Sequence, residues 1–439
     1  IKQTAEKTNF ETGDGTTTSI VLAHSLITQG LKSKVSPMQL RDELEESLQE
    51  VKKELKTIST SIKDGELISV AKISVENEDI AKIVAEAVSK AGEYGSVIVE
   101  ESPGFKIEKV EEIGYSIPSG YISPYMITNP NRMEAVLDDC AVIITDRSMN
   151  LNKDLFSVLT EIHKKGYSSV LVIADNVEGE LLETIIQNKM KGLLNVVCVK
   201  RPESSAELED LAVITGATAV TKDKGIQQIQ STHLGQARRV VVQRDKTLII
   251  GNETDNFNKH LSALKEEVAV EPKDEPDALR IDEIKTRLSK LTEGIILIKV
   301  GAKISTERRY LKDKVDDAVG ACTAALSEGI VTGGGTALRD VSNLISFKTE
   351  GAKVLKIALS TPFQKILENA GMSDTEPDGY YDVKTSKAVD MIKVGLIDPS
   401  KVERCAVENA VSFAGMFLTS SAVISLHQVE SQKAVDHQK

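Results

Sequence analysis

The sequence predicts a multidomain α+β protein with helical segments at both ends and an α/β segment in the middle. Three observations lead to this prediction. At 439 residues the chain is longer than one hydrophobic core usually supports. Apolar residues recur at helical spacing over residues 1–56 and again from Thr336 onward. Between Cys140 and Gly251, short β-branched runs alternate with helical stretches, which is typical of βαβ units around a buried, partly parallel sheet.

Amphipathic periodicity predicts the helices. In Pro37–Ile58, for example, Leu40 and Leu44 lie one turn apart on the face that also carries Val51. After Thr18 the same spacing predicts a helix to about Leu31. The other predicted helices are Glu76–Gly92, Leu155–Lys165, Glu178–Lys191, a charged pair over Asn258–Leu291 that is broken near Pro272 and Pro276, Leu311–Glu328 and Ala337–Ile345.

Short apolar runs rich in Val and Ile predict the strands. These runs are Ser96–Val99, Ala141–Ile144, Ser169–Ile173, Asn195–Val199, Ala219–Thr221 and Gly294–Val300. Arg239–Ile250 reads as a hairpin that turns at Asp245–Lys246.

Composition argues against several classes of protein. The net charge is -12 and aromatic residues make up 4%, with no Trp, whereas nucleic-acid binding usually needs a positive face and stacking platforms. Four widely spaced cysteines without a Cys-x-x-Cys pair favour buried thiols in a reducing compartment. The six scattered histidines do not suggest a metal site. No apolar run is long enough to span a membrane. No signal peptide is evident. Ile1 is not an initiator residue, so we expect sequence upstream of it.

The run Gly13-Asp14-Gly15-Thr16-Thr17-Thr18 carries the clearest chemical signal. It stands at a predicted helix start, where unpaired N–H groups and the positive dipole end attract phosphate. Glycines allow close backbone approach, hydroxyl groups can bond phosphate oxygens, and Asp14 is the kind of oxygen ligand that Mg²⁺ prefers. The run is not a Walker A loop. Taken alone, such a run is more often a turn followed by an ordinary N-cap.

A second glycine-rich helix start follows at Gly333-Gly334-Gly335. A lone glycine triplet is weak evidence for ligand binding. In combination with Asp398-Pro399 and the first glycine run, however, it forms part of a recognisable set of motifs.

That set resembles the group I chaperonins, the GroEL-like proteins, from Ile1 to about Leu426. The matching stretches occur in the order of that family and are residues 12–18, 120–125 (GYISPY), 176–180 (NVEGE), 234–238 (LGQAR), 314–318 (KVDDA), 328–335 (EGIVTGGG), 369–371 (NAG) and 397–401 (IDPSK).

The resemblance implies three domains. Residues 1–56 and 329–439 would form a helical, ATP-binding equatorial domain. Residues 57–112 and 295–328 would form an intermediate hinge domain, and residues 113–294 an inserted α/β apical domain that binds client proteins.

The resemblance also implies roles for single residues at an ATP site. Asp317 matches the catalytic carboxylate that orients the attacking water, and Asp14 matches the Mg²⁺ ligand. Asp398 matches the acid that binds the ribose, and Asp382 stands where the family usually has Asn, against the base. The remaining nucleotide-binding matches are Gly13, Gly15, Thr16, Thr17, Thr18, Ser74, Gly334, Gly335, Val383 and Lys384.

Client proteins would be held by apolar grooves, because unfolded chains expose hydrophobic surface. The residues that match the client-binding face are Tyr121, Tyr125, Met126, Phe156, Leu159, Leu182 and Ile186. Without the resemblance, their helical spacing favours core positions.

Two functions from different classes therefore remain open. The first is an ATP-dependent chaperonin, with ATP and Mg²⁺ as cofactors, non-native polypeptides as clients, a homo-oligomeric heptameric ring and a co-chaperonin lid. The second is a chaperonin-like holding or structural protein without ATP turnover. Either would reside in the cytoplasm of a bacterial or phage-infected cell, or in an organelle matrix, without nucleic-acid or membrane partners.

Overall fold

The computed structural model describes residues 1–63, 65–92, 96–130, 132–151, 153, 155–226, 228–251, 254–269, 275–345, 348–372, 380–382, 385 and 387–421. The described chain divides into two compact units. Unit 1 contains residues 1–73 and 320–439, and unit 2 contains residues 74–319. The boundary falls within two helices, α4 and α11, whose ranges are given next.

The helices are α1 (Lys2–Thr12), α2 (Thr16–Gly30), α3 (Pro37–Ile58), α4 (Glu66–Val75), α5 (Glu78–Ala91), α6 (Phe156–Lys164), α7 (Gly179–Met190), α8 (Ser205–Thr215), α9 (Asp255–Val268), α10 (Glu275–Glu293), α11 (Ser305–Glu328), α12 (Thr336–Leu344), α13 (Glu350–Asn369), α14 (Met391–Val394) and α15 (Ser400–Leu418). A short 3-10 helix spans Pro124–Met126. No helix in the described part of the chain is both long enough and apolar enough to cross a membrane.

The strands are β1 (Ser96–Ser102), β2 (Ile107–Glu112), β3 (Gly114–Ile117), β4 (Ala135–Ile144), β5 (Ser148–Met149), β6 (Ser169–Ala174), β7 (Asn176–Val177), β8 (Asn195–Lys200), β9 (Gly235–Val242), β10 (Thr247–Ile250), β11 (Ile295–Gly301), β12 (Ile330–Thr332), β13 (Tyr381–Asp382), β14 (Lys387–Ala388) and β15 (Ile397–Pro399).

Unit 1 is a helical body whose core lies between α2, α3, α12, α13 and α15. The apolar face predicted for α3 is buried as expected, with Leu40, Leu44 and Val51 in this core. Ser36 accepts a hydrogen bond from the Gln39 N–H and Pro37 follows it, so α3 begins with a capped turn. Strands β12 and β15 pair antiparallel at one end of this helical body.

Unit 2 contains the predicted α/β segment. Its six-stranded sheet has the order β3-β10-β9-β4-β6-β8, in which β4, β6 and β8 are parallel and the other pairs are antiparallel. The β6 residues are all buried, as a strand covered on both faces requires. A three-stranded sheet, β1-β11-β2, lies against the larger one through a small apolar cluster that includes Ile98, Val241 and Leu297.

The α+β prediction and most of its elements are confirmed, including the β9–β10 hairpin. The strand predicted at Ala219–Thr221 is wrong. That segment follows the end of α8. It runs beside the sheet for only one residue pair and therefore makes a single bridge, between Val220 and Thr145. The sequence reading also missed α8 itself. Pro272 lies outside the described residues, whereas Pro276 lies at the start of α10, where proline is tolerated.

Candidate functional site

The Gly13–Thr18 run forms a tight connection between α1 and α2. Gly13 ends α1 with φ 70° and Gly15 precedes α2 with φ 79°, a left-handed conformation that favours glycine at both positions. Between them, the Asp14 Oδ1 accepts a hydrogen bond of 2.6 Å from the Gly15 N–H. The Thr12 hydroxyl donates to the Asp14 carbonyl oxygen over 2.8 Å. These bonds fix the loop from within.

The N-terminus of α2 has no side-chain cap. Asp14 accepts a hydrogen bond from the N–H of Gly15, which itself stands at the cap position. The run therefore forms a turn with glycine at the N-cap, as the structural alternative predicts, and leaves the first turn of α2 without a side-chain cap. Thr16 and Thr18 are half-buried and Thr17 is exposed, so the first turn of α2 is accessible from one side.

A second uncapped helix start follows β12. Gly334 and Gly335 have φ values of 66° and 72°, and Gly335 is the N-cap residue of α12 without a side-chain cap. A Cβ atom on Gly335 would lie 2.8 Å from the Phe363 backbone nitrogen, whereas one on Gly334 would meet nothing within 4 Å. Gly335 is thus required by packing against α13, while Gly334 presents open backbone to solvent.

Asp398 joins the two loops. The β12–β15 pairing sets Val331 opposite Asp398, and the Gly334 N–H donates a 2.9 Å hydrogen bond to the Asp398 Oδ2. The start of α15 also packs on the first loop, since a Cβ atom on Gly15 would lie 2.7 Å from the Val402 Cγ1. The N-termini of α2, α12 and α15, which begin at residues 16, 336 and 400, therefore meet in unit 1.

The carboxylates at this meeting point disturb one another. Burial and, after it, the negative charge of Asp14 raise the pKa of Asp398 to about 6, against the opposing effect of the Gly334 N–H. Burial raises the pKa of Glu403 well above its usual range, and the charges of Asp398 and Asp14 add to this effect. Half-buried carboxylates repel each other. The binding of a cation or of hydroxyl donors between them is favourable because it offsets this repulsion.

Glu403 is the residue that sequence reasoning missed. A glutamate in the first turn of a helix usually faces water and interacts with the helix dipole, and α15 offers only that signal. The structure instead leaves this residue 4% exposed.

No group of three His, Cys, Asp or Glu side chains among the described residues could hold a metal ion by itself. Proteins usually hold Mg²⁺ through one or two carboxylates together with phosphate oxygens and waters. Asp14 and the uncapped helix starts fit such a shared site, because they offer one oxygen ligand and a set of N–H and O–H donors.

Tyr380 lies just before the segment predicted to face a nucleotide base, residues 382–384, and it contacts α12. The Tyr380 hydroxyl donates to the Asp340 Oδ2 over 2.9 Å, and the Arg339 guanidinium lies 5.9 Å from the Tyr380 ring centre. Asp382 accepts a 2.7 Å hydrogen bond from the Thr385 hydroxyl. Val383 and Lys384 lie outside the described residues. Sequence reasoning also missed Tyr380, although it stands two residues before the predicted contact.

Ser74 and Asp317 belong to unit 2. Ser74 is half-buried in α4, and its hydroxyl oxygen has no hydrogen-bond partner among the described residues. Asp317 is half-buried on α11, where Lys314, one turn earlier, forms a 3.2 Å ion pair with Glu76. The preceding Asp316 is paired with Arg132.

The predicted client-binding residues differ widely in exposure. Tyr125 and Phe156 are 71% and 49% exposed. Tyr121, Leu182 and Ile186 are half-buried, and both Tyr121 and Leu182 pack against the core of unit 2.

Met126 and Leu159 are corrected from surface to core, with exposures of 0% and 6%. The 3-10 helix turns Met126 inward, where its sulfur accepts a hydrogen bond from the Cys198 N–H. Leu159 is buried in the core of unit 2 together with Val158 and Ile162, whereas Phe156 stands at the N-terminal end of α6, where it is exposed.

The sequence matches the TCP-1/cpn60 chaperonin family over residues 1–428. Two solved structures of the chaperonin gp146 from the bacteriophage EL 2 (Pseudomonas aeruginosa), both in presence of ATP-BeFx, have a similar fold. Crystal form I gives a TM-score of 0.56 at 18% identity, and crystal form II gives 0.62 at 19%. Each alignment covers 95% of this chain and 85% of the phage chain.

Proposed function

This chain belongs to the TCP-1/cpn60 chaperonin family, and we propose that it is an ATP-driven folding chaperone. The observation that carries the proposal is the meeting of three helix N-termini in unit 1, none with a side-chain cap and two of them preceded by left-handed glycines. Such a site suits phosphate groups because their charge is matched by N–H groups and helix dipoles. The relative gp146 was crystallised in presence of ATP-BeFx, which supports the same reading.

In this proposal the first loop and α2 hold the phosphate groups. The N–H groups after Gly15 and the hydroxyl groups of Thr16, Thr17 and Thr18 donate hydrogen bonds to phosphate oxygens. Asp14 is the Mg²⁺ ligand, and the bound ion supplies charge neutralisation on the phosphate oxygens. The second loop contributes the exposed backbone of Gly334.

Asp398 and the segment around Asp382 would bind the nucleoside. The Asp398 oxygen that remains beside the Gly334 bond accepts hydrogen bonds from ribose hydroxyl groups. Asp382 accepts a hydrogen bond from an exocyclic amino group of the base, an interaction that favours adenine over guanine at that edge. Val383 and Lys384 stay predictions for the same segment.

Asp317 orients the water molecule that attacks the terminal phosphate, and Ser74 lines the nucleotide. Phosphoryl transfer needs mainly positioning and charge neutralisation, so one well-placed carboxylate is adequate for the role. The half-buried environment of Asp317 on α11 leaves part of its carboxylate accessible.

Clients would be captured on the apolar surface of unit 2 around Tyr125 and Phe156. Large exposed apolar side chains on a folded unit favour an interaction surface. Tyr121, Leu182 and Ile186 form its half-buried edge. We extend the proposal to a heptameric ring, a co-chaperonin lid and residence in a cytoplasm or organelle matrix.

ATP hydrolysis by the intact protein, measured with and without an unfolded client, tests the proposal. We expect Mg²⁺-dependent turnover that responds to client. An intact protein that suppresses aggregation of a denatured client but does not hydrolyse ATP would instead be the holding protein of the second hypothesis.

A further inference from the structure

The Tyr380 side chain is attached to α12 through an acid whose two oxygens are both engaged. The Tyr380 hydroxyl donates to the Asp340 Oδ2 over 2.9 Å. The Asp340 Oδ1 accepts two hydrogen bonds from the Arg339 guanidinium, of 3.1 Å from Nε and 3.0 Å from Nη2. Asp340 is half-buried, and hydrogen bonds to a charged group partly out of water are stronger than exposed ones. The acid therefore links Tyr380 to α12 by a bond of defined length and direction.

Arg339 adds a link to α13. Its guanidinium carbon lies 4.5 Å from the centre of the Phe363 ring and 5.9 Å from the centre of the Tyr380 ring. Both distances are within the range of cation–π attraction, and the hydrogen bonds to Asp340 fix the plane of the guanidinium. Arg339, Asp340, Phe363 and Tyr380 thus form one cluster, the Tyr380 cluster, which joins α12, α13 and the segment that begins at Tyr380.

The Tyr380 cluster stands beside the second glycine loop. Gly335 packs against Phe363, since a Cβ atom on Gly335 would lie 2.8 Å from the Phe363 backbone nitrogen. Gly335 is also the N-cap residue of α12, and the Gly334 N–H is bonded to Asp398. The cluster and the loop are therefore attached to the same two helices, α12 and α13.

The hairpin formed by β13 and β14 carries Asp382 away from the cluster by two residues. Asp382 pairs with Lys387 across the hairpin, and the Val389 N–H donates to the Tyr380 carbonyl oxygen over 3.0 Å. The Thr385 hydroxyl donates to the Asp382 Oδ2 over 2.7 Å. A two-stranded hairpin is at best marginally stable by itself. Its position consequently depends on attachment to the helical body, and Tyr380 supplies such an attachment.

We propose that Tyr380 is a positioning residue, whose hydrogen bond to Asp340 and contact with Arg339 hold the β13–β14 hairpin where Asp382 can accept a hydrogen bond from the amino group of adenine. The second glycine loop and Asp398 are fixed to the same helices, so the cluster sets the distance between the base and the rest of the nucleotide. A segment held in this way loses less freedom when a ligand binds. The inference rests on the proposed nucleotide site and names what sets its preference for the base.

The test compares ligands that differ in the base. Binding of Mg-ATP, Mg-ITP and Mg-tripolyphosphate to the intact protein is measured by calorimetry. ITP has a carbonyl oxygen where ATP has the amino group, and tripolyphosphate has neither base nor sugar. The parent should bind ATP about tenfold more tightly than ITP, because an acidic side chain accepts from an amino group but not from a carbonyl oxygen.

Tyr380→Phe keeps the ring but loses the hydroxyl donor. In this variant the preference for ATP over ITP should fall to about threefold or less, while tripolyphosphate affinity should stay within about twofold of that of the parent. Asp340→Leu removes the acceptor from the side of α12 and should lower the preference in the same way. A role in stability alone would weaken the three ligands together and leave the ratio of ATP to ITP affinity unchanged.

Asp340→Asn is the matched control, because an amide can still form a hydrogen bond with the Tyr380 hydroxyl. It should keep the base preference of the parent to within about twofold.

The outcomes separate the inference from the function it rests on. A base preference in Tyr380→Phe or Asp340→Leu equal to that of the parent overturns the inference and leaves the nucleotide site standing. Loss of the preference in Asp340→Asn, or equal binding of ATP and ITP by the parent, also overturns it. A parent that binds none of the three ligands overturns the proposed function itself, and the inference with it.

Discussion

The two glycine loops of unit 1, proposed to bind phosphate, and the apolar surface of unit 2 are built on different principles. In unit 1, backbone geometry makes the site, through left-handed glycines that leave two helix N-termini open. In unit 2, the surface around Tyr125 and Phe156 depends on which side of a short helix faces outward. The first kind of site is encoded locally by residue type, whereas the second is decided by tertiary packing. The following predictions test this difference.

The largest effect should come from Asp317→Ala, which we expect to slow ATP hydrolysis by about 10²- to 10⁴-fold. ATP binding should change little, because the carboxylate acts on the attacking water in the transition state. Single-turnover hydrolysis and equilibrium nucleotide binding measure the two effects separately. Glu307→Ala, an exposed acid on the same helix, is the control, and equal turnover by both variants would contradict the role of Asp317.

The adjacent residues Tyr125 and Met126 make a matched pair in unit 2. Met126→Glu should destabilise the protein by about 3 to 5 kcal/mol, because it places a charge in the core. Tyr125→Glu should change stability by less than about 1 kcal/mol but abolish capture of a denatured client. Urea unfolding and an aggregation-suppression assay distinguish them. Comparable destabilisation by both changes would show that Tyr125 is a core residue like Met126.

Asp14→Ala should weaken Mg-ATP binding by about tenfold to a hundredfold and lower turnover with it. The physical reason is that the ion is held in the ground state as well as in the transition state. A nucleotide titration with and without Mg²⁺ measures the effect. Asp42→Ala, an exposed acid on α3, should bind as the parent does. Unchanged affinity of Asp14→Ala for Mg-ATP would show that the Gly-Asp-Gly run is only a turn.

The smallest effect concerns stability and pH. Because burial raises the pKa of Glu403 in the folded state, stability falls as pH rises from the usual glutamate pKa of 4.5 to that raised value. Glu403→Gln does not titrate, so it should become more stable than the parent by about 1 kcal/mol as pH increases through that window. Urea unfolding at pH 4.5 and pH 8 checks this. A difference that shrinks with rising pH would mean that Glu403 is paired with a cation.

The family and much of the fold could be predicted because the relevant signals are local. The periodicity of α3 marks its buried face, and the β-branched run of β6 marks a strand covered on both sides. Both the resemblance to the GroEL-like chaperonins and the α+β architecture are confirmed. The assigned roles of Asp14, Asp317 and Asp398 stay predictions, although the structure brings Asp14 and Asp398 together.

The sequence by itself determined where the backbone can turn, since glycine at positions 13, 15, 334 and 335 is required by left-handed φ values. It also determined which segments are apolar enough to be buried. Only the tertiary structure decided that Met126 is core while Tyr125 is exposed, and that Glu403 is buried rather than exposed to water. The physical reason is that burial depends on contacts between residues far apart in sequence, such as Met126 with Cys198, which no local pattern records.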